Sequence, residues 1–432
     1  MSRWLALKWK ARHHAATLVG DTRSYFGLLY GCVLAVWVAY VSHRLTHVPP
    51  GGFCADAPPN WLSTMGENVS ALPVEVEFGG RLRFMSIWTT DATHWADRNV
   101  RGVESVFFHH PNASLTIYSN KLPASAVGAI ASLGFDVRVL PYNLTQLLHG
   151  TPAAPWLGKL SRWEQGPYFY THVTDVIRLA LLFRDGGVYV DTDVVLVRPF
   201  RIAAAAVVAA AELEERQERQ KRRGARDGAQ PVRAWRDARA AADVADERNA
   251  SAGAAREPLP LAPHSLGAEA HTVSDTPIVN GAIMVFARGS PFLWGAMREF
   301  AGTYRDFEWG WNGPELLTRV RRRCPHNVSV LGEERFYPFH WEEVALYSTA
   351  GHEAANEAMW RVIEQRSYAA HLWNKKSAEL PLHADSVYAR LMRAFRVLPD
   401  GVAAGKAGGT HAAAEARAHQ LVADGIAAGA VL

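Results

Sequence analysis

A chain of 432 residues, 49% of them hydrophobic, can bury a sizeable core in one large domain or two. The net charge of +4 sits at one end, because residues 1–23 carry five basic side chains against one acidic. The remainder is neutral in sum, so the charge does not support nucleic-acid binding by the body of the protein, and none is expected.

The basic tail abuts Tyr25–Val41, a stretch without a charged residue. With Ser24 and His43 as its ends, a helix of this length covers about 30 Å. Positive charge before the span and little after it place the N-terminus in the cytoplasm. No small-x-small cleavage site follows closely, so an uncleaved signal anchor over 24–43 is expected behind a cytoplasmic tail, 1–23. Five Asn-x-Ser/Thr sequons begin at Asn68, Asn112, Asn143, Asn249 and Asn327, all after the span. They predict a glycosylated, lumenal body. Cys54 and Cys324 then lie on the oxidising side, either paired with each other or as separate thiols.

Residues 44–80 include Pro49-Pro50-Gly51-Gly52 and Pro58-Pro59 and read as a stem. A folded head is expected over 81–400. Its opening strands are predicted at Arg83–Thr90, Ser114–Tyr118 and Val137–Leu140, with helical stretches between them. Such alternation gives an α/β fold with a mainly parallel central sheet. Thr171–Asp185 is apolar nearly all round and predicts a buried helix. Val188–Val197 predicts a strand entered through Gly186-Gly187. Residues 201–270 are rich in Ala, Arg and Glu, with Trp235 their only aromatic residue. They read as a low-complexity insertion without a packed core. Order resumes at Thr272–Ala287, where Asn280-Gly281 reads as a turn feeding a strand. Pro291–Tyr304 predicts a helix, and Trp309–Thr318 a Gly-punctuated loop entering another. Tyr368–Ser377 joins a short strand to a polar loop, and 401–432 form a loosely ordered Ala/Gly tail.

The chemistry-bearing segment is Asp175–Asp193. In a strand, side chains at i and i+2 share a face, so Asp191 and Asp193 point the same way. Two carboxylates there make a hard oxygen site for Mg²⁺ or Mn²⁺, which in turn suits the diphosphate of a nucleotide. Behind a Gly-Gly and a buried helix, this Asp-x-Asp points to a nucleotide-sugar-dependent glycosyltransferase. Asp175 and Arg178 lie one turn apart on that helix. They form either an internal ion pair or a pair that reaches a polar ligand.

Together with Arg162-Trp163-Glu164, Asn280-Gly281-Ala282, Gly313-Pro314-x-Leu-Leu-Thr-Arg319, Phe336-Tyr337-Pro338, Trp341 and His371-x-Trp373-Asn374-Lys375-Lys376-Ser377, these residues resemble the alpha-1,4-glycosyltransferase family, in particular its galactosyltransferases. The resemblance runs over Leu157–Pro199 and Thr276–Ser377. It implies a single Rossmann-like fold of the GT-A type, in a single-pass type II Golgi enzyme. It also implies a retaining transfer of galactose from UDP-galactose, in alpha-1,4 linkage, to a glycolipid or glycan. N-acetylglucosaminyl or mannosyl transfer, and an inactive binding relative, are the alternatives. Asp193 is then the strongest metal ligand, with Asp191 beside it. His371 is a third ligand, or else a packed or phosphate-facing histidine. Asp175 holds sugar hydroxyls and Arg178 steadies the donor, with Gly187 and Tyr189 alongside. Trp373 stacks on the donor or is core. Lys375 and Lys376 bind phosphate or are solvated. Asn280 lies near the reacting carbon. It is a weak nucleophile, so a front-face route is easier to defend than a double displacement.

Overall fold

The computed structural model describes residues 78, 80–202, 260–272 and 275–399. The expected anchor, most of the stem, the C-terminal tail and the centre of the insertion lie outside the described residues. So do the sequons at Asn68 and Asn249. Among the described residues no helix is long and apolar enough to cross a membrane.

Strands β1 (Arg83–Ile87), β2 (Ser114–Tyr118) and β3 (Asp136–Leu140) pair in parallel, as their alternation with helices requires. β4 (Gly187–Val190) joins β1 on its other side, also in parallel. The seven-stranded sheet has the order β3-β2-β1-β4-β7-β6-β8, with β6 at His264–His271, β7 at Pro277–Phe286 and β8 at Ser329–Leu331. β7 runs antiparallel to both β4 and β6, while β8 is parallel to β6. The sheet is thus mainly parallel, and its order reverses between β1 and β4. Such a reversal leaves a crevice at the carboxyl ends of the strands, where open α/β sheets hold ligands.

The principal helices are α1 (Asp97–His109), α2 (Phe169–Asp185), α3 (Pro291–Thr303) and α4 (Pro314–Arg323). In α2, Val173, Val176, Ile177 and Leu179–Phe183 are all buried, as its sequence predicted. The helix stops at Gly186, whose φ of 61° is left-handed and costs glycine no Cβ clash.

Several local expectations need correction. The predicted strand Val188–Val197 is two strands: β4 ends at Val190 and β5 (Val194–Leu196) pairs antiparallel with β9 (Ala369–His371) in a separate small sheet. Asp191-Thr192-Asp193 is the turn between them. Asn280-Gly281 is not a turn but lies inside β7. The polar loop after His371 contains a short helix, Asn374–Ser377. The largest correction concerns the insertion. Its last residues, 260–270, are ordered: Leu261 is fully buried and β6 is a central strand of the main sheet. Cys324 is half of a disulfide whose other half lies outside the described residues.

Ile202 and Leu261 form a β-bridge, and Leu261 N–H donates to Arg201 O at 2.7 Å. The insertion therefore leaves and re-enters the head at adjacent points. Replacing 204–258 by a short Gly/Ser linker should preserve a cooperative thermal transition and solubility. Extending the deletion through β6 should abolish both, because it removes a strand bonded on both edges. Circular dichroism melts of the two variants check this.

Candidate functional site

The site is built where four segments meet: the middle of α2, the turn after β4, the middle of β7 and the end of β9. Arg178 sits at their centre. Its Nη2 lies 3.2 Å from Asp175 Oδ1 and 3.6 Å from Asp191 Oδ1. Its Nη1 donates to Gly281 O at 2.5 Å, and its guanidinium lies 4.7 Å from the centre of the Tyr189 ring. Burial disfavours its charge, but Asp191, Tyr189 and Asp175 outweigh that and hold it protonated, with its pKa raised above the ordinary arginine value. The i,i+3 ion pair is thus real, and it also reaches the Asp-x-Asp turn.

Asp191 is anchored twice more. Its N–H donates to Ala282 O at 2.7 Å, and Tyr189 Oη donates to its Oδ1 at 2.5 Å. Thr192 points to the opposite side, where its hydroxyl accepts from Asn99 Nδ2 at 3.0 Å. Asp193 turns back towards β9. Its Oδ1 lies 3.3 Å from His371 Nε2, and its Oδ2 accepts the Asn374 N–H at 2.9 Å. Burial would push the Asp193 carboxyl up, yet His371 and the Asn374 N–H bring it below the usual range. Burial and the neighbouring Asp193 charge raise Asp191, against Arg178. Burial lowers His371, but the Asp193 charge more than reverses this and raises it.

Among the described residues, Asp191, Asp193 and His371 form a cluster whose ligand atoms all lie within 4.8 Å of one another. Two carboxylates and an imidazole suit a divalent cation of the Mn²⁺ or Mg²⁺ kind. Next to them, Asp175 Oδ2, His371 Nδ1 and Asn374 Oδ1 are buried without a hydrogen-bond partner. Buried polar atoms normally find partners, so this concentration fits a site completed by a polar ligand. Burial raises the Asp175 carboxyl to about 6, against the pull of Arg178. The expected i/i+2 strand geometry is not what makes the carboxylates converge. The turn, held by Arg178 on one side and Asn374 on the other, does it instead.

Other expected residues have different places. Gly187 lies at the far end of β4 from the cluster, where a Cβ would stand 2.6 Å from Arg83 O; it packs strands and touches no ligand atom. Tyr189 is fully buried and supports Asp191. Trp373 is buried behind His371, with ring centres 4.2 Å apart and its indole N–H on Phe339 O. Asn280 is fully engaged: its Nδ2 donates to Glu269 Oε2 at 2.5 Å, and its Oδ1 accepts the Ala282 N–H at 2.8 Å. Its side chain is thus bonded into the β6–β7 pairing. Lys375 reaches over the site, donating to Thr171 Oγ1 at 3.1 Å. Burial lowers its pKa, while Asp175, Asp191 and Asp193 oppose that shift. Lys376 lies outside the cluster, its ammonium 5.1 Å from the Trp341 ring.

Sequence reasoning missed Glu269. It sits at a register shift of β6, between Ala268 and Ala270, where a bulge aims it at Asn280. Burial pushes its carboxyl up. The available signal was slight: the alternation Leu266, Ala268, Ala270 after Pro263, at the end of an otherwise charged segment. Gly102 was missed as well. A Cβ there would stand 2.6 Å from Thr192 O and 2.9 Å from Val194 O, so only glycine lets α1 press against the back of the Asp-x-Asp turn.

The chain is a glycosyltransferase. A model described as "Glycosyltransferase sugar-binding region containing DXD motif" matches residues 96–212, and one described as "Alpha 1,4-glycosyltransferase conserved region" matches 285–395. Over residues 285–395 the chain resembles the alpha-1,4-glycosyltransferase family. Rat lactosylceramide 4-alpha-galactosyltransferase is 26% identical over 317 residues, covering 69% of each chain. Human alpha-1,4-N-acetylglucosaminyltransferase is 24% identical over 258 residues, covering 56% of this chain and 54% of that protein. The solved galactosyltransferase LgtC, in complex with donor and acceptor sugar analogs, superposes with a TM-score of 0.32 at 11% identity, covering 73% of this chain and 98% of that one.

Gly102→Ala should displace the Asp-x-Asp turn, since both close atoms are backbone. Overpacking of this kind costs about 1–3 kcal/mol. A lowered melting temperature, together with a loss of kcat/KM beyond that of an equally destabilised core variant elsewhere, is the expected result.

Proposed function

We propose that this protein is a divalent-cation-dependent, retaining glycosyltransferase that moves galactose from UDP-galactose to a glycolipid or glycan hydroxyl in alpha-1,4 linkage. The observation that carries this reading is the convergence of Asp191, Asp193 and His371 at the carboxyl end of β4, beside the unpartnered Asp175 oxygen. Asp191, Asp193 and His371 would hold a divalent cation, whose chemistry when bound is to neutralise the charge that builds on a departing diphosphate. Asp175 offers its free oxygen to a sugar hydroxyl, and Arg178 fixes the orientation of that oxygen. Lys375 adds positive charge at the mouth of the site for phosphate. Tyr189 and Trp373 position Asp191 and His371 and make no donor contact of their own.

Glu269 is bound by Asn280, and Asp175 is held by Arg178 through one oxygen with the other assigned to a sugar hydroxyl, so neither is given the nucleophile's part. The front-face route remains the better account. The acceptor oxygen bonds to the anomeric carbon on the face from which UDP departs, the carbon–phosphate-oxygen bond breaks, and the acceptor proton passes to the leaving phosphate. UDP and the glycoside are the products.

The galactose donor is supported by relatives named as galactosyltransferases, and UDP-N-acetylglucosamine is the second reading because of the human relative named for that sugar. The basic tail, the apolar Tyr25–Val41 and the sequons support a type II Golgi protein with a lumenal head. Of the sequons in described residues, Asn112 and Asn143 are exposed and Asn327 is half-buried.

Asp193→Asn keeps an oxygen for the Asn374 N–H, so the fold should persist. It removes a negative charge from the cluster. Transfer should fall by roughly 10²–10³, the scale of a lost electrostatic stabiliser. Asp175→Asn should also slow turnover while leaving Mn²⁺ affinity nearly unchanged. UDP release from UDP-galactose and UDP-N-acetylglucosamine, with and without divalent ion, measures both. Activity that needs no divalent ion, or a near-normal Asp193→Asn variant, refutes the proposal.

A further inference from the structure

Four large aromatic side chains are exposed among the described residues: Tyr170, Phe307, Trp309 and Trp341, at 58, 67, 47 and 37%. Two of them, Trp309 and Trp341, face one lysine pair. The Trp309 ring lies 5.3 Å from Lys375 Nζ, and the Trp341 ring 5.1 Å from Lys376 Nζ. Tyr170 precedes Thr171, the residue whose hydroxyl Lys375 holds. Phe307 is two residues before Trp309, in the segment that joins α3 to α4. The lysines follow Asn374, whose N–H is bonded to Asp193, so this patch is continuous with the acidic cluster.

The aromatic segment is braced. Trp311 has the guanidinium groups of Arg305 and Arg319 at 3.4 and 3.8 Å from its ring centre, and its indole N–H donates to Thr303 O. Asn312 Nδ2 donates to Arg305 O, and its Oδ1 accepts the Arg305 N–H. His172, one turn before Asp175 on α2, has Nε2 at 3.1 Å from Glu308 O, which ties the segment to the helix. Phe307 and Trp309 are therefore presented from an anchored loop. Burying them inside would have been the ordinary use of such residues.

Building on the glycosyltransferase reading, we propose that Trp309, flanked by Phe307 and Tyr170, is the platform on which the acceptor saccharide stacks. An acceptor must approach the donor from the open side of the cluster, and this is the aromatic surface that Lys375 links to it. A pyranose ring has an apolar C–H face and a rim of hydroxyls. A half-exposed indole, with an ammonium 5.3 Å from its ring centre to donate to the hydroxyl rim, matches both. Two ammonium groups within the patch suit a hydroxylated ligand and penalise an acyl chain.

The test uses the full-length chain in detergent, with Trp309→Ala and Phe307→Ala. Three quantities are measured: hydrolysis of UDP-galactose without acceptor, the KM for free lactose, and saturation-transfer NMR contacts between lactose and the chain loaded with UDP and Mn²⁺. Trp309→Ala should raise the KM for lactose about tenfold or more, the scale of one lost aromatic contact. It should erase the lactose ring-proton contacts and leave donor hydrolysis within about twofold of wild type. Equal losses of hydrolysis and transfer, or unchanged lactose contacts, overturn the proposal. An effect confined to a lactosyl-lipid in micelles, with free lactose unaffected, also overturns it and assigns the patch to lipid. A wild-type chain that hydrolyses no UDP-sugar defeats the functional reading instead, and the NMR contacts still decide whether the platform takes a saccharide.

Discussion

One buried guanidinium organises this protein. Arg178 joins Asp175 on its own helix, Asp191 on the turn after β4 and the Gly281 carbonyl on β7. Two consecutive elements and a strand about a hundred residues further on are fixed by one side chain. Two carboxylates held this close and this deep repel each other, and without a shared cation one of them would take up a proton. Removing one partner from such a buried network typically costs roughly 3–5 kcal/mol, because the remaining charges are left uncompensated. Lysine is no substitute, since a single ammonium lacks the planar fork that serves several acceptors at once. Arginine therefore opposes the rise that burial imposes on the Asp191 carboxyl, while leaving one oxygen of Asp175 unsatisfied.

The rest of the site is arranged around that fixed point. Behind the Asp-x-Asp turn, Asn99 takes Thr192 and the bare Cα of Gly102 admits the turn's carbonyls. In front, the pairing of β5 with β9 carries His371 to Asp193, with Leu372 N–H on Asp193 O at 2.9 Å. Asn280 adds rigidity from β7: Glu269 and Tyr337 hold it, and it caps the Ala282 N–H, next to the carbonyl that takes Asp191 N–H. Rigid support of this kind lets a cluster of charges remain in a productive geometry without ligand. Three unpartnered buried atoms, on Asp175, His371 and Asn374, belong to this site.

Much of this was legible in the sequence. Strong hydrophobic runs with clear stops gave α2, β1 and β2, and Gly186 marked the end of α2. Asp175, Arg178, Asp191, Asp193 and His371 were all recognisable as chemistry-bearing, and they do converge. Pairing between remote segments was not legible. The period-two pattern of Val188–Val197 is the same whether a strand is continuous or breaks at a turn into a second sheet, so β5 was merged with β4. β6 was lost because its apolar content is mostly Ala and it follows a long charged stretch. Glu269 was lost with it. Gly187, Tyr189 and Trp373 were read as donor contacts from their place in the motifs. Burial assigns them to the supporting structure, and no single-chain pattern distinguishes a residue that touches a ligand from one that holds its neighbour.

The account stands or falls on whether Asp191, Asp193 and His371 bind one ion together. Electron spin-echo spectroscopy of Mn²⁺ added to the full-length chain with UDP tests this directly. The proposed site predicts one bound ion per chain with a nitrogen coupling from imidazole, and predicts that this coupling vanishes in His371→Ala. An undiminished nitrogen coupling in His371→Ala, or Mn²⁺ that stays free in solution with wild type, would contradict it.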